Sequence, residues 1–442
     1  MRLRPAPEAN PGLLADYLSQ RAGLLLPRGA GVYTFPHRSF QEYLAACHLT
    51  DDDFPEKLAD LARSDPDRWR EVVLLAAGKS AGGADFAVWA LAETLCPQDV
   101  AACDKSQAHC WGALLAGQVL AESANLERVS ASNRGKRDRV REWLLHLLDR
   151  SDFPPVERAA AGNALARLGD PRFRENVWHL PADDLLGFIE IPEGPFLMGS
   201  DKERDSGAFS EEEPQHELTL PTYYIGRYPV TVAQFRAFVE ATGYKPENPN
   251  CLRAVANHPV GAVSWHETLK YCDWLTETLR QWEGTPELVA RLLREENWRI
   301  TLPSEAEWEK AARGANGRIF PWGDESDPNK ANYGDTGIGR TSPVGCFPAG
   351  ASPSGCQDMA GNVWEWTRSL WGEKRYRLDW HYPYDPADGR ENLQAPDDTF
   401  RVVRGGAFHV NRRLARCAYR GMYDPPDRDD RLGFRVVLRL SL

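Results

Sequence analysis

Apolar residues recur at helical spacing up to about residue 180 and lose that spacing beyond it. Ser39-Phe40-Gln41-Glu42 has the form of a capping box, in which hydroxyl and carboxylate satisfy free backbone amides at a helix start; Phe40, Tyr43, Leu44 and Cys47 follow on one helical face. Further helices are predicted over Trp69 to Gly78, Val140 to Leu148 and Val156 to Leu168, the last stopped by Gly169-Asp170-Pro171. From about Leu180, Gly, Pro and aromatic residues become dense. Phe188 to Gly199 predicts two short strands about a turn. Three more boxes, Thr231…Gln234, Ser264…Glu267 and Ser304…Glu307, open short helices, the first ending at Gly243 and the third at Gly314. Phe434 to Leu440 alternates like a closing strand. The pattern predicts an all-α helical domain over 1–180 and an α+β domain over 181–442, with acidic Asp201 to Glu213 as a solvated loop.

Composition narrows the function classes. A chain of 442 residues has room for two or three domains. Its net charge of −11 argues against a nucleic-acid-binding face. The start of the chain lacks the apolar run of a signal peptide, and no window approaches a membrane span. The nine cysteines are scattered without a CxxC pair, which argues against zinc and for a reduced, cytoplasmic protein. Gly78-Lys79-Ser80 resembles the end of a phosphate-binding loop, but Val73 stands where that loop needs glycine, so no nucleotide is expected.

The last forty residues are the most informative. A frame of Arg404-Gly405-Gly406, Ala415 to Arg420, Pro425 and Gly433-Phe434-Arg435 is interrupted by unrelated residues: Phe408, His409, Val410, Arg413, Leu414, Gly421, Tyr423, Asp424, Asp427, Asp429, Asp430 and Arg431. Rigid frame with assorted inserts is the layout of a binding surface on a scaffold, and aromatic anchors flanked by charge are the usual content of interface hot spots. Trp371, Tyr376, Trp380, Tyr382 and Tyr384 lie just upstream and are expected either as an adjoining wall or as core.

The region from about 185 onward resembles the formylglycine-generating enzyme (sulfatase-modifying factor) family. The resemblance rests on Phe196-Leu-Met-Gly-Ser200, Tyr228-Pro-Val-Thr231, Pro259 to Trp265, Leu302-Pro-Ser-Glu-Ala-Glu-Trp-Glu309, Phe320-Pro-Trp-Gly323, Gly361-Asn-Val-Trp-Glu-Trp366, Arg404-Gly-Gly406 and Gly433-Phe-Arg435. It implies an elaborated C-type lectin fold. Phe35 to Ala46 resembles the helical tail that follows the NTPase module of NACHT-like signalling ATPases, which implies docking to a separate ATPase.

The resemblance also frames the chemistry. The related oxidases hold copper with a cysteine pair after Arg-Gly-Gly. Here Ala407 to Arg416 contains no cysteine, and Cys417 is alone within the frame. No copper chemistry is expected from one thiol. Sulfoxide-forming relatives gather histidines around iron; His216, His258, His266, His381 and His409 are dispersed, so no iron is expected. The family's structural calcium implies Asp358, the carbonyls of Gly361 and Val363, and Glu365 as ligands. A second site would involve Asn332, with Asp335 nearby. The same fold serves the variable proteins of diversity-generating retroelements, in which mutated adenines diversify Asn codons and leave the frame intact. The inserts at 408–431 resemble that arrangement. The expectation is a non-catalytic receptor for a ligand, a protein, with a metal-dependent oxidase as the alternative.

Overall fold

The computed structural model describes residues 15, 17–19, 25–29, 32–51, 53–82, 85–375 and 377–441. They divide into two compact units, 1–143 and 144–442. This boundary precedes the one near 180 that the change of texture predicts.

The first unit contains a hairpin, β1 (Leu26–Gly29) and β2 (Val32–Thr34), which helical periodicity did not foretell. Helices α1 (Arg38–Asp51), α2 (Glu56–Ser64), α3 (Pro66–Ala81), α4 (Asp85–Leu95), α5 (Gln107–Ser123) and α6 (Ala131–Leu148) follow. Helix α1 already begins at Arg38, which pairs with Glu42 at 2.7 Å, so Ser39 lies inside the helix and the expected box is absent. Phe40, Tyr43 and Leu44 are exposed, while α1 buries Ala46 and Leu49. Asp65 caps α3, accepting from the Arg68 amide at 3.3 Å, and α3 runs through Gly78 to Ala81. The core of the unit is small and aliphatic, with Trp89 and Trp143 as its large members.

The second unit begins within α6 and continues with α7 (Pro155–Leu168), closed by Gly169 at φ +90°. Helix α7 belongs here because Arg158, fully buried, donates to the carbonyls of Cys346 and Asn329, and Gly162 packs against Pro343. Next come β3 (Phe173–Arg174), β4 (Leu180–Pro181), β5 (Phe188–Ile191), β6 (Gly194–Met198), β7 (His216–Leu220) and β8 (Tyr223–Gly226). Strands β5 and β6 stand where two strands were predicted. They do not pair: β5 joins β8, and β6 joins β7.

Helices α8 (Val232–Thr242), α9 (Trp265–Gln281), α10 (Glu287–Glu295) and α11 (Glu305–Arg313) flank β9 (Trp298–Thr301). Each predicted box at Thr231, Ser264 and Ser304 is formed, and Gly243 and Gly314 end α8 and α11 with positive φ. The remaining strands are β10 (Trp364–Gly372), β11 (Phe400–Arg404), β12 (Gly421–Tyr423), β13 (Leu432–Phe434) and β14 (Val437–Leu440). One sheet has the order β12-β11-β10-β13, with β13 parallel to β10; the other has the order β5-β8-β14-β9. The alternating run Phe434 to Leu440 is thus shared: β13 ends in one sheet and β14 begins in the other. The main core gathers Trp265, Tyr271, Trp366, Phe434 and Leu438. This is a mixed, loop-rich α+β architecture. Among the described residues no helix is long and apolar enough to cross a membrane.

Candidate binding face and oxygen-rich loop

The C-terminal frame is buried because its arginines are used internally. Arg404 bonds Glu309 and the carbonyls of Cys417 and Ala418. Arg420 holds Glu305 side-on with two bonds of 2.8 Å. Arg435 holds Glu365 in the same manner and donates to the carbonyls of Gly226, Arg227 and Gln357. Such two-point guanidinium–carboxylate bonds satisfy both charges and direction. Gly405 and Gly406 adopt φ +91° and +79°, a backbone that glycine takes without penalty, and they turn the chain from β11 into the first insert.

The inserts are mostly accessible. Phe408, Leu414, Tyr423, Asp424, Asp427, Asp429 and Arg431 are half-buried, and His409, Arg413 and Asp430 are exposed. Val410 and Gly421 depart from the predicted surface. Val410 is buried, and its carbonyl accepts from Gly334 at 2.7 Å. Gly421 is buried, and a Cβ there would lie 2.9 Å from Val403 Cγ2.

Several inserts meet. Arg431 grips Asp429 side-on and donates to His409 Nε2 at 3.2 Å; the His409 ring lies against Phe408, centroids 5.5 Å apart. Arg431 holds the Asp429 carboxyl down at about 2. Tyr423 packs against Trp366, and burial together with Asp429 raises its phenol. Burial and neighbouring Asp427 raise the Asp424 carboxyl; Asp427 accepts from the Asp424 amide at 3.2 Å. Arg413 is committed elsewhere. It lies 3.9 Å over the ring of Phe209 and donates to the Gly207 carbonyl at 2.7 Å.

That last contact corrects the reading of Asp201 to Glu213 as a solvated loop. Asp205 and buried Glu212 pair with Arg416, and Phe209 packs edge-on against Tyr419. Phe209, Asp205 and Glu212 border the face unforeseen by the sequence reading. The available signal was an acidic run in a chain whose C-terminal frame is rich in arginine. Upstream, Trp371, Tyr382 and Tyr384 are buried and Trp380 is half-buried, so the first three act as core; Tyr376 lies outside the described residues.

Cys417 is buried beside Ile319, whose carbonyl accepts its amide at 2.8 Å, and burial pushes its thiol up to about 12. It therefore stays protonated and shielded near neutrality. His216, His258, His266 and His409 each have a separate partner: Tyr384, Asn163 with Thr341, Asp397, and Arg431.

Of the predicted calcium ligands, Asp358, Gly361 and Val363 lie on the loop that enters β10, and Glu365 lies on β10 itself. Asp358, Gly361 and Asn362 have φ of +56°, +78° and +65°. Asp358 is buried and accepts from the Gly345 amide at 2.7 Å, and burial pushes its carboxyl up to about 6. No ion pair relieves it among the described residues, so it is a buried carboxylate that a cation would compensate. Glu365 is buried with Arg435 and with Trp308 Nε1, 2.7 Å away. Asp358 and the carbonyls of Gly361 and Val363 are oxygen donors of the kind calcium takes, whereas both Glu365 oxygens are already held by Arg435. Asn332, proposed for a second site, turns its amide nitrogen to the Arg340 carbonyl and Ser342.

The mixed α+β fold and these motifs define a domain of the formylglycine-generating-enzyme type. Residues 176–440 match the sulfatase-modifying factor enzyme 1-like domain, and the chain belongs to that family. Residues 10–49 match a winged helix-turn-helix domain C-terminal to NACHT. The chain is 27% identical over 317 residues to the formylglycine-generating enzyme of Mus musculus, covering 57% of this chain and 75% of that protein. It is 30% identical over 281 residues to the hercynine oxygenase of Mycolicibacterium thermoresistibile, covering 55% of this chain and 56% of that protein. A solved structure, Treponema denticola variable protein 1, aligns with a TM-score of 0.41 at 23% identity, over 57% of this chain and 94% of that one.

Proposed function

We propose that this protein binds a protein ligand without catalysis, through the accessible inserts of 408–431, as a variable protein of a diversity-generating retroelement. The observation that carries the reading is the match between sequence layout and burial. Residues 401–407, 415–418 and 432–438 are all buried, whereas ten of the twelve inserts reach solvent, the exceptions being Val410 and Gly421. A frame of that kind tolerates change at its inserts without change of fold. Cys417, the one thiol of the segment, is buried and protonated, which argues against thiol–copper chemistry. The oxidase reading draws its support from the named relatives, and the two readings part on chemistry.

Asp358, Gly361, Val363 and Glu365 hold a structural calcium in this account, stiffening the loop that enters β10. The match of residues 10–49 supports a docking role for the N-terminal helical unit toward a separate signalling ATPase. The test of diversification is inspection of the neighbouring DNA. A near-copy of codons 400–435, differing at adenines and lying beside a reverse transcriptase gene, is expected. Its absence overturns the retroelement assignment.

A further inference from the structure

Helix α1 carries an apolar stripe on the side that faces water. Phe40, Tyr43 and Leu44 recur at helical spacing and are exposed, while Ala46 and Leu49 are buried on another side and Arg38 reaches the Asp67 carbonyl of α3 at 3.3 Å. The hairpin β1–β2 just before it makes a two-stranded sheet of its own, and every strand residue except Thr34 is exposed. A hairpin of two strands gains little by itself and needs another element to cover one face. Leu26, Val32 and Tyr33 are its large apolar members after which Phe35, Pro36 and His37 lead into α1, keeping the ends of hairpin and helix within about 15 Å.

These six side chains are 37–57% exposed, and seven of the ten large apolar side chains left exposed among the described residues lie between 17 and 44. Crowding of that kind on one short segment marks an interaction surface. Charge tells what the surface takes. From Tyr17 to Gln41 the sequence has Arg21, Arg28 and Arg38 and no Asp or Glu, in a chain of net charge −11. Arg28 is exposed on β1 and forms no ion pair among the described residues. A second copy would set the same positive surface against this one, whereas a partner with carboxylates around an apolar groove complements it.

We propose that the outer face of α1 and the hairpin β1–β2 form the surface through which the N-terminal unit docks, and that the separate ATPase offers it an apolar groove rimmed by carboxylates. This rests on the docking role proposed for that unit and is independent of the reading of 408–431.

The probe is the purified NACHT-type ATPase encoded in the neighbouring DNA, titrated against the fluorophore-labelled full chain and read by anisotropy. Binding is expected, and Y43D and L44D should each weaken it roughly tenfold. R28E should weaken it at low salt, with the effect fading at high salt. F86D is the control: Phe86 is the most exposed of the ten, stands on α4, and should leave binding unchanged. All these side chains are exposed, so melting temperatures should match that of the native chain; if Y43D and L44D do not fold, V32D on the hairpin takes their place. Binding that the stripe and hairpin variants leave intact, or that F86D weakens equally, overturns this surface and leaves the docking role standing. Absence of such a gene, or of binding by the native chain, overturns the docking role and the surface with it. A dimer of the full chain in sedimentation that Y43D dissolves also overturns the proposal, because a second copy would then cover the face.

Discussion

Arg416 and Glu212 are joined by two hydrogen bonds of 2.7 and 2.6 Å across 204 positions of sequence. Both side chains are buried, and the pair fastens the acidic segment 201–213 to the C-terminal frame. Removing Arg416 leaves the Glu212 carboxylate buried without a compensating charge, a loss of about 3–5 kcal/mol, whereas removing Glu212 leaves Arg416 paired with Asp205. R416A is expected to lose stability in that range in urea unfolding. A loss under about 1 kcal/mol, typical of surface pairs, would show the segment to be loosely held.

Arg413→Ala removes the stacking on Phe209 and the bond to the Gly207 carbonyl. An exposed cation–π contact is worth about 0.5–1 kcal/mol, so global stability should barely change. Hydrogen exchange should nevertheless quicken at 205–210 and stay constant in β10 and β11. Unchanged exchange at 205–210 would contradict the strapping role of Arg413.

The insert positions are expected to divide by burial. G421L forces a side chain against Val403 and should cost about 1–3 kcal/mol. H409A and D430A alter exposed side chains and should stay within about 0.5 kcal/mol of the parent. Equal tolerance at all three positions, read from melting curves, would dissolve the distinction between frame and insert.

Asp170 sets an acid limb. Burial alone would raise its carboxyl, but Arg172 at 2.6 Å and Asn257 Nδ2 at 2.9 Å outweigh burial and hold it below the ordinary value. A carboxylate lowered in the folded state contributes stability above its unfolded pKa of about 3.9 and loses it as pH falls through the folded value. Stability should fall with acid in the parent, and D170N should flatten that part of the profile while lowering stability at neutral pH. A D170N profile parallel to the parent's would count against this assignment.

Calcium binding at Asp358 and Glu365 would stabilise the fold by mass action, about 2.7 kcal/mol at a hundredfold excess over Kd. The melting temperature is expected to fall on adding EGTA and to recover with calcium. D358N and E365Q should abolish the difference. A parent protein that melts identically in EGTA and in calcium rules the ion out.

The parts legible in the sequence were those fixed by local chemistry. Thr231, Ser264 and Ser304 each meet a Gln or Glu three residues on, so their helix starts required no knowledge of the rest of the chain. Strand partners were not legible: β5 and β6 adjoin in sequence, yet β5 pairs with β8 and β6 with β7. The run from Phe434 to Leu440 read as one strand because alternation carries no mark of a change of sheet. Ser39 failed as a cap because Arg38 and Glu42 pair within the same helix, one turn apart. For the face, exposure at His409 and Asp430 followed from their polarity. The burial of Gly421 did not, since its crowding comes from Val403 on the neighbouring strand.

The central claim is that this domain recognises a ligand and performs no oxidation. Oxygen consumption by the purified full chain, with a cysteine-containing peptide and copper supplied, tests it most directly, and an iron-supplied reaction covers the other oxidative chemistry. The account predicts uptake equal to the protein-free reaction in both. Turnover of the thiol above that background, lost in C417S, would contradict it.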